Sequence, residues 1–426
     1  MSFENTVNYK DYRKYLEVKN NISFNYKGVD LIKVIAFEVL DFYINNSKLN
    51  IIYLLKTVFI KFDTKKLFQA FESYKTIFST IYYSRKDHTE LLNKVSENIN
   101  NSIIVNLKFH KHSIKINLKV YLKVFHYLVK FNKFKDFNFI QKLCVFSRII
   151  YFCNIIDELE KIEKKIDFHC KCYVPFLSST GVEALLTLYF KNKGVKTFHI
   201  FHGLFGRYKL RIANDIINGD NINSDYILAF SELQRNDLIK DFNVEGNKIF
   251  IAGNPKYPSK KISVKNTFKK CIVLNGFGFY DDDFIKLIFI LNNVNSKTGI
   301  SFHIKPHPNS KITERQEITN CKNIEILPKE KLISNILKNS DYDFAISYNT
   351  VTYYEVMYYD LICLRFGLNE NLDFYGLDDK FYDETSLIKL INEYKTKSLD
   401  DINKSIENLL RYAIGMGINN YTKYLT

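Results

Sequence analysis

From about residue 166 onward the chain alternates two kinds of pattern. Short runs of Val, Ile, Phe and Tyr end in Gly, Pro, Asn or Ser, as buried strands do. Between them, apolar residues recur every three to four positions, as in amphipathic helices. DFHCKCYVPFLSS predicts a strand ending in a small-residue loop, TGVEALLTLYFKNKG a helix, and VKTFHIF a strand ending at His202-Gly203. That order, with short connections, is the signature of a parallel βαβ unit. DYILAFSELQRNDLIKDF and NKIFIAGNPKYP continue it. After a basic stretch from Pro258 to Lys270 the alternation restarts with CIVLNGFGF, DDDFIKLIFILNNV, GISFHIKPHP and DYDFAISYNTVTYYEVMYYDLICLRF.

Two such series, separated near residues 255–268, predict an α/β protein of two doubly wound, Rossmann-like domains. Residues 1–257 form the first and 258–395 the second; 396–426 carry a terminal helix that packs back on the first. The opening 165 residues are less sharply punctuated. Helical spacing is read over 31–46 and 65–82. Within 103–126, Ile104, Val105, Leu107 and Phe109 suggest a strand, whereas Ile116, Val120, Val124 and Tyr127 suggest a helix.

Composition adds limits. The 426 residues are 46% hydrophobic and 25% charged, which excludes wholesale disorder. Seven scattered cysteines fit a reducing cytoplasm better than a disulfide scaffold. The polar N-terminus offers no secretory signal, and no run approaches the ~20 apolar residues of a membrane span. Lys and Arg exceed Asp and Glu by 61 to 46, a net +15 that favours anionic partners: nucleic acid, lipid headgroups or a phosphorylated or acidic-sugar substrate. Part of this excess follows from a general Lys, Asn, Ile, Phe and Tyr bias.

Open parallel sheets bind ligands at strand carboxyl ends, so the residues there carry the functional candidates. His202, followed by Gly203, is placed for a general base. Lys305-Pro306-His307-Pro308 holds an imidazole and an ammonium where a departing phosphate would sit. Ser347-Tyr348-Asn349-Thr350 and Glu355 stand between a strand and a helix; they suit phosphate and ribose, or else Asn349 or Thr350 merely caps that helix. Asn275, Gly276 and Gly278 form a weak glycine loop. Glu183 opens a helix after a strand, as a base or as a capping-box acid. His169, Cys170 and Cys172 read as strand core rather than metal ligands, and Asp281-Asp282-Asp283 as a solvated helix start. No metal is expected. Lysines and aromatics interleave from Lys108 to Lys135, either to meet nucleic acid or anionic lipid or as a solvated face.

Gly194–Gly203, Ser231–Pro255, Lys305–Pro308 and Ser347–Glu355, in that order, resemble the bacterial GT-B glycosyltransferases of surface-polysaccharide biosynthesis. They are similar in particular to the HP-motif sialyltransferases and polysialyltransferases and to the CDP-glycerol glycerophosphotransferases. The resemblance covers about residues 170–370. It implies two domains facing a cleft, a donor nucleotide on the second, an acceptor on the first, and metal-independent inverting transfer. Carried onto this chain, it implies that His307 stabilises the leaving nucleotide, Ser347 and Thr350 contact its phosphate, and Glu355 holds the ribose. His202 or Glu183 would deprotonate the acceptor. Ser347-Tyr348 stands where the sialyltransferases pair Ser with Ser or Thr, and their acidic pair followed by Gly is not found.

The expected function is therefore transfer of a sugar, first of all sialic acid or a related acidic sugar from a CMP donor, onto a lipooligosaccharide or capsular glycan. The nucleotide-sugar is a co-substrate and no cofactor is expected. The expected place is the inner face of the cell membrane, with peripheral contact to anionic lipid and no nucleic-acid partner. Glycerophosphotransfer, sugar-nucleotide epimerisation and nucleic-acid binding stand as alternatives.

Overall fold

The computed structural model describes residues 6–44, 60–62, 64–81, 86–107, 109–111, 118–130, 137–164, 166–201, 203–204, 207–208, 212–213, 216–276, 281–308, 310–316, 318, 321, 324–338, 341–369, 372–373 and 375–425. Two six-stranded sheets dominate it. Their strands are numbered here in chain order. The first sheet comprises β1 (Thr76–Thr80), β2 (Ser102–Asn106), β3 (Cys172–Pro175), β4 (Lys196–Ile200), β5 (Tyr226–Ala229) and β6 (Ile249–Ile251). The second comprises β7 (Lys270–Asn275), β8 (Ser301–Lys305), β9 (Ile324–Ile326), β10 (Phe344–Tyr348), β11 (Ile362–Phe366) and β12 (Lys380–Phe381).

All pairings within both sheets are parallel. The first sheet runs β2-β1-β3-β4-β5-β6 and the second β9-β8-β7-β10-β11-β12. The second order is the dinucleotide-fold order, with its topological switch between β7 and β10; the first is a flavodoxin-like order with its switch between β1 and β3. The expected pair of doubly wound domains is what the chain builds. Helices cover both faces, which is why β1, β3, β10 and β11 are buried along their whole length, although β1 carries Thr and Ser and β11 carries Arg365.

The helical reading of 65–82 gives way to a helix Thr64–Ser73 followed by β1. Thr76–Thr80 is buried on both faces, so tertiary cover rather than local spacing decides its state. Within 103–126, Ser102–Asn106 forms β2, Phe109 opens a separate strand Phe109–Lys111, and Val120, Val124 and Tyr127 lie on a helix Leu118–Lys130, while Ile116 lies outside the described residues. Among the described residues one helix, Phe139–Glu163, is long and apolar enough to cross a membrane. Here it is a core helix, with Val145, Ile149, Phe152 and Ile156 fully buried in the first domain.

The chain's end joins the domains. Helix Leu399–Ile414 contributes Ile402, Ile406, Leu409 and Leu410 to the core of the second domain, while Tyr421 and Leu425 enter the core of the first. Tyr421 donates to the Gly253 carbonyl at 2.8 Å, and Thr76 donates to the Leu425 carbonyl at 3.1 Å. Two glycines permit this crossing. Gly253 has φ +91°, and a Cβ there would fall 1.7 Å from the Ile418 carbonyl oxygen; Gly415 has φ +72°, with the Phe230 carbonyl oxygen 1.9 Å away. Only glycine tolerates both the left-handed backbone and the approach.

Candidate functional site

The strand carboxyl ends of both domains open onto one cleft. A cavity of about 250 Å³ there is lined on the first domain by Glu90, Leu91, Lys94, Gly203, Leu204 and Asn254. Val351, Thr352, Tyr354 and Glu355 of the second domain face them, with Lys256 and Tyr257 of the connection between the domains. Of the sequence candidates Glu355 stands on this cavity, and Gly203, the neighbour of the candidate His202, lines it from the opposite domain. His202 itself and Gly278 lie outside the described residues.

Gly203 is positioned from behind. The Gln234 amide donates to its carbonyl at 3.1 Å and accepts from the Phe230 N–H at 2.8 Å. On the other wall, β10 ends at Tyr348, and Asn349 turns the chain with φ +49° into helix Thr352–Tyr358. Val351 is the N-cap and makes no side-chain cap bond, but the Thr350 hydroxyl beside it accepts from the Thr352 N–H at 3.3 Å and meets the Thr352 hydroxyl at 2.9 Å. Glu355 is mostly buried, and its carboxylate meets the Lys256 ammonium at 3.4 Å. Lys256 and Gln234 carried no sequence signal of their own: each acts through a contact made far along the chain.

Glu183 sits at the switch point of the first sheet. It is fully buried, accepting from the Phe176 N–H at 2.9 Å and from the Ser79 hydroxyl at 3.3 Å. Phe176 follows β3 and Ser79 belongs to β1, so one carboxyl group ties the two switch-point strands together. Burial pushes its pKa up to about 8, against the opposing pull of the Phe176, Leu177 and Ile81 amides. Glu183 does not line the cavity, and the capping-box reading fails because the N-cap Thr180 makes no side-chain bond. The next residues are latched as well. Ser178 pairs its hydroxyl with His199 Nδ1 at 2.7 Å, Ser179 donates to Asn218 at 2.9 Å, and the Asn223 amide donates to the Ser178 carbonyl at 2.9 Å.

In the second domain Asp281 performs a similar task. It accepts from the Asn275 amide at 2.9 Å, the Ser310 hydroxyl at 2.8 Å and the Lys311 N–H at 2.8 Å, joining the ends of β7 and β8. The acidic start of helix Asp281–Thr298 is therefore not simply a solvated one. The Gly276 N–H donates to the Tyr348 carbonyl at 2.9 Å, extending the β7–β10 ladder by one bond.

Several candidates are placed away from the cavity. Ser347 and Tyr348 are buried inside the second domain, and the Tyr348 ring stacks on Phe284. Both belong to β10, which is covered on both faces. Lys305 is buried, and its ammonium donates to the Pro306 and Lys329 carbonyls at 2.7 and 3.0 Å rather than facing a ligand. His307 is half-buried in the loop after β8, two strand positions or about 10 Å across the sheet from β10. Burial, then the Lys305 charge, holds its pKa below the ordinary value, against the pull of Asp281, so the imidazole is neutral near neutral pH. Pro308 is exposed. Cys170 and Cys172 are buried, the Cys170 thiol donating to the Cys172 carbonyl at 3.1 Å.

A larger, open cavity of about 590 Å³ lies at the amino ends of β4 and β5, lined by Lys191, Lys196, Asp225, Tyr226 and Lys248. Lys191 pairs with Asp225 and Lys248 with Glu245, both at 2.8 Å. Its place at the wrong end of the strands sets it apart from the sites such sheets use. Among the described residues no three His, Cys, Asp or Glu side chains gather as a cation site.

No family model matches the chain, and no curated protein matches it in sequence. Solved structures do align. The lipopolysaccharide outer core galactosyltransferase WaaB is 12% identical over 82% of this chain and 96% of its own, with a TM-score of 0.46. The UDP-GlcNAc 2-epimerase of Methanocaldococcus jannaschii is 13% identical over 79% and 99%, at 0.44. The UDP-GlcNAc 2-epimerase of Neisseria meningitidis, bound to UDP-GlcNAc, is 15% identical over 82% and 96%, at 0.39. Such likenesses carry no weight for activity, and the fold rests on the strand orders themselves. The chain is a two-domain α/β protein of GT-B architecture, two doubly wound sheets facing one cleft.

Proposed function

We propose that the chain is a glycosyltransferase that binds a nucleotide-activated sugar on its second domain and an acceptor hydroxyl on its first. The observation that carries this reading is the shared cavity: Gly203 and Asn254 of one domain and Thr352 and Glu355 of the other line the same space. Transfer between two substrates needs both held across one gap with their reacting atoms near contact.

In the reaction the acceptor oxygen bonds to the sugar's anomeric carbon and gives its proton to a base. The bond to the leaving phosphate breaks, and its electron pair departs on the phosphate oxygen. His202, next to Gly203 in sequence, is the proposed base, since the buried Glu183 is engaged with the strand ends. Glu355 accepts from donor hydroxyls. Lys256 and the Thr350 and Thr352 hydroxyls face the departing phosphate, and His307 contributes a neutral N–H to the nucleotide beyond it. An acidic sugar on CMP, moved to a lipooligosaccharide or capsular glycan, is the first donor and acceptor class to test.

A thermal-shift series with CMP, CDP, UDP and GDP tests the donor, because a ligand that prefers the native state raises its stability by mass action. One nucleotide stabilises the wild type and fails to stabilise Glu355→Gln. The matching nucleotide-sugar then releases nucleotide only when a glycan acceptor is present. Turnover without acceptor would make the chain an epimerase, and no response to any nucleotide would remove the donor site.

A further inference from the structure

The helix Leu118–Lys130 is apolar on two opposite faces. Val120 and Val124 turn inward and are buried, as packing on the first domain requires. Leu118, Leu122 and Phe125, spaced four and three apart, form a second stripe on the outside, and Leu122 and Phe125 are each 61% exposed. The neighbouring helix Phe139–Glu163 adds Phe139, 74% exposed, with Ile140 and Leu143. The two helices pack against one another, and the Tyr121 and Phe146 rings meet edge to face at 6.0 Å. That contact sets Phe125, one turn further along the first helix, beside Leu143, one turn back along the second. The result is one continuous apolar face on paired helices.

The charges that the two helices themselves place beside this face are basic. Lys119, Lys123 and Lys142 accompany it, and residues 118–130 and 137–156 contain no Asp or Glu, the nearest in sequence being Asp136 and Asp157. An ordinary solvated helix surface mixes both signs and keeps its large apolar residues inside. Two copies of this face would bring lysines against lysines. Only Phe125 and Phe139 of its six apolar residues offer a nucleobase a ring to stack on, the rest being leucine and isoleucine. An anionic lipid surface complements both features, taking the leucine and phenylalanine side chains into its acyl boundary and the lysines at its headgroups.

We infer that the outer face of helices Leu118–Lys130 and Phe139–Glu163 docks the first domain on an anionic membrane surface. This contact is independent of the reaction in the cleft, because the face is built without any cavity residue.

The chain has no Trp, so a single introduced Trp reports on its own surroundings. Phe125→Trp is placed in the full chain, with Tyr382→Trp, on an exposed position of the second domain, as the control. Both are titrated with phosphatidylcholine vesicles and with phosphatidylcholine vesicles containing phosphatidylglycerol. The inference expects a blue shift in the emission of the Phe125→Trp variant on the anionic vesicles alone, reduced by added salt, and none from the control variant. It also expects Leu122→Ser with Phe139→Ser, and separately Lys119→Gln with Lys142→Gln, to weaken anionic-vesicle binding on the order of tenfold. Those side chains are at the surface, so unchanged melting temperatures certify the variants. Equal binding to neutral vesicles, no vesicle binding, RNA binding in place of vesicle binding, or a dimer that dissociates when Leu122 is replaced would each overturn the inference.

Discussion

Glu183 gives the sharpest test of how the first domain shapes its side of the cleft. In Glu183→Ala the Phe176 N–H and the Ser79 hydroxyl lose their shared acceptor inside the protein. A buried donor left unmade costs ~1–3 kcal/mol, and the vacated volume adds to that. With ~2–4 kcal/mol lost in a domain of this size, the melting temperature falls by roughly 5–15 °C. Glu183→Gln keeps the shape and one acceptor oxygen but cannot titrate. The native protein holds a proton on Glu183 up to about pH 8, whereas the unfolded chain releases it near the ordinary 4.5. The folded pKa is the higher, so this group's stabilisation is complete at the acid end and is lost as pH rises between those values. Wild type should therefore lose stability relative to Glu183→Gln by at most ~1.4 kcal/mol per pH unit across that window, and run parallel to it above. Denaturant melts of both proteins at stepped pH measure the difference. Parallel curves throughout, or an alanine variant as stable as wild type, would refute the buried tether. Turnover separates positioning from proton transfer. A tether tolerates Gln and not Ala, whereas losing a general base costs about 10²–10⁴ in either variant.

Three further outcomes follow from the geometry. Lys256→Gln leaves the mostly buried Glu355 carboxylate without its ion-pair partner, which costs ~1–3 kcal/mol in a denaturant melt, and it weakens nucleotide binding about tenfold by calorimetry. Asp379→Ala leaves the buried Arg365, bonded to it at 2.6 Å, without its counter-charge and costs ~3–5 kcal/mol; the double variant Arg365→Met, Asp379→Leu recovers most of that in a denaturant titration. Gly253→Ala drives a methyl group into the Ile418 carbonyl, so the segment after Gly415 should detach from the first domain and become the first site cut in limited proteolysis.

Much of this architecture is legible in the order of residues. Strands β3, β7 and β10 stand out because a parallel strand covered on both faces is a nearly unbroken apolar run, and β4 and β8 because Gly or Pro follows where the loop begins. β1 is absorbed into a helical reading because Thr76–Thr80 follows the helix Thr64–Ser73 with no Gly or Pro between. β9 and β12 span only three and two residues, too short for periodicity to register. At the site, the strand-end rule brings His202 and Glu355 to attention but cannot orient side chains. Ser347, Tyr348 and Lys305 look like ligands among the polar strand ends; the fold turns them into the domain or onto carbonyls. Asn254 follows the end of β6 and obeys the same rule, whereas Lys256 reaches the cleft through a contact to Glu355 that no local spacing encodes.

The central claim is that one cleft, walled by both domains, receives the donor. Amide hydrogen exchange with and without the best nucleotide from the thermal-shift series tests it directly. The account predicts slowed exchange in residues 351–358 of the second domain and in 203–204 and 254–257 of the first. Protection confined to Lys191, Lys196 and Lys248 at the opposite edge of the sheet, with these segments unchanged, would contradict it.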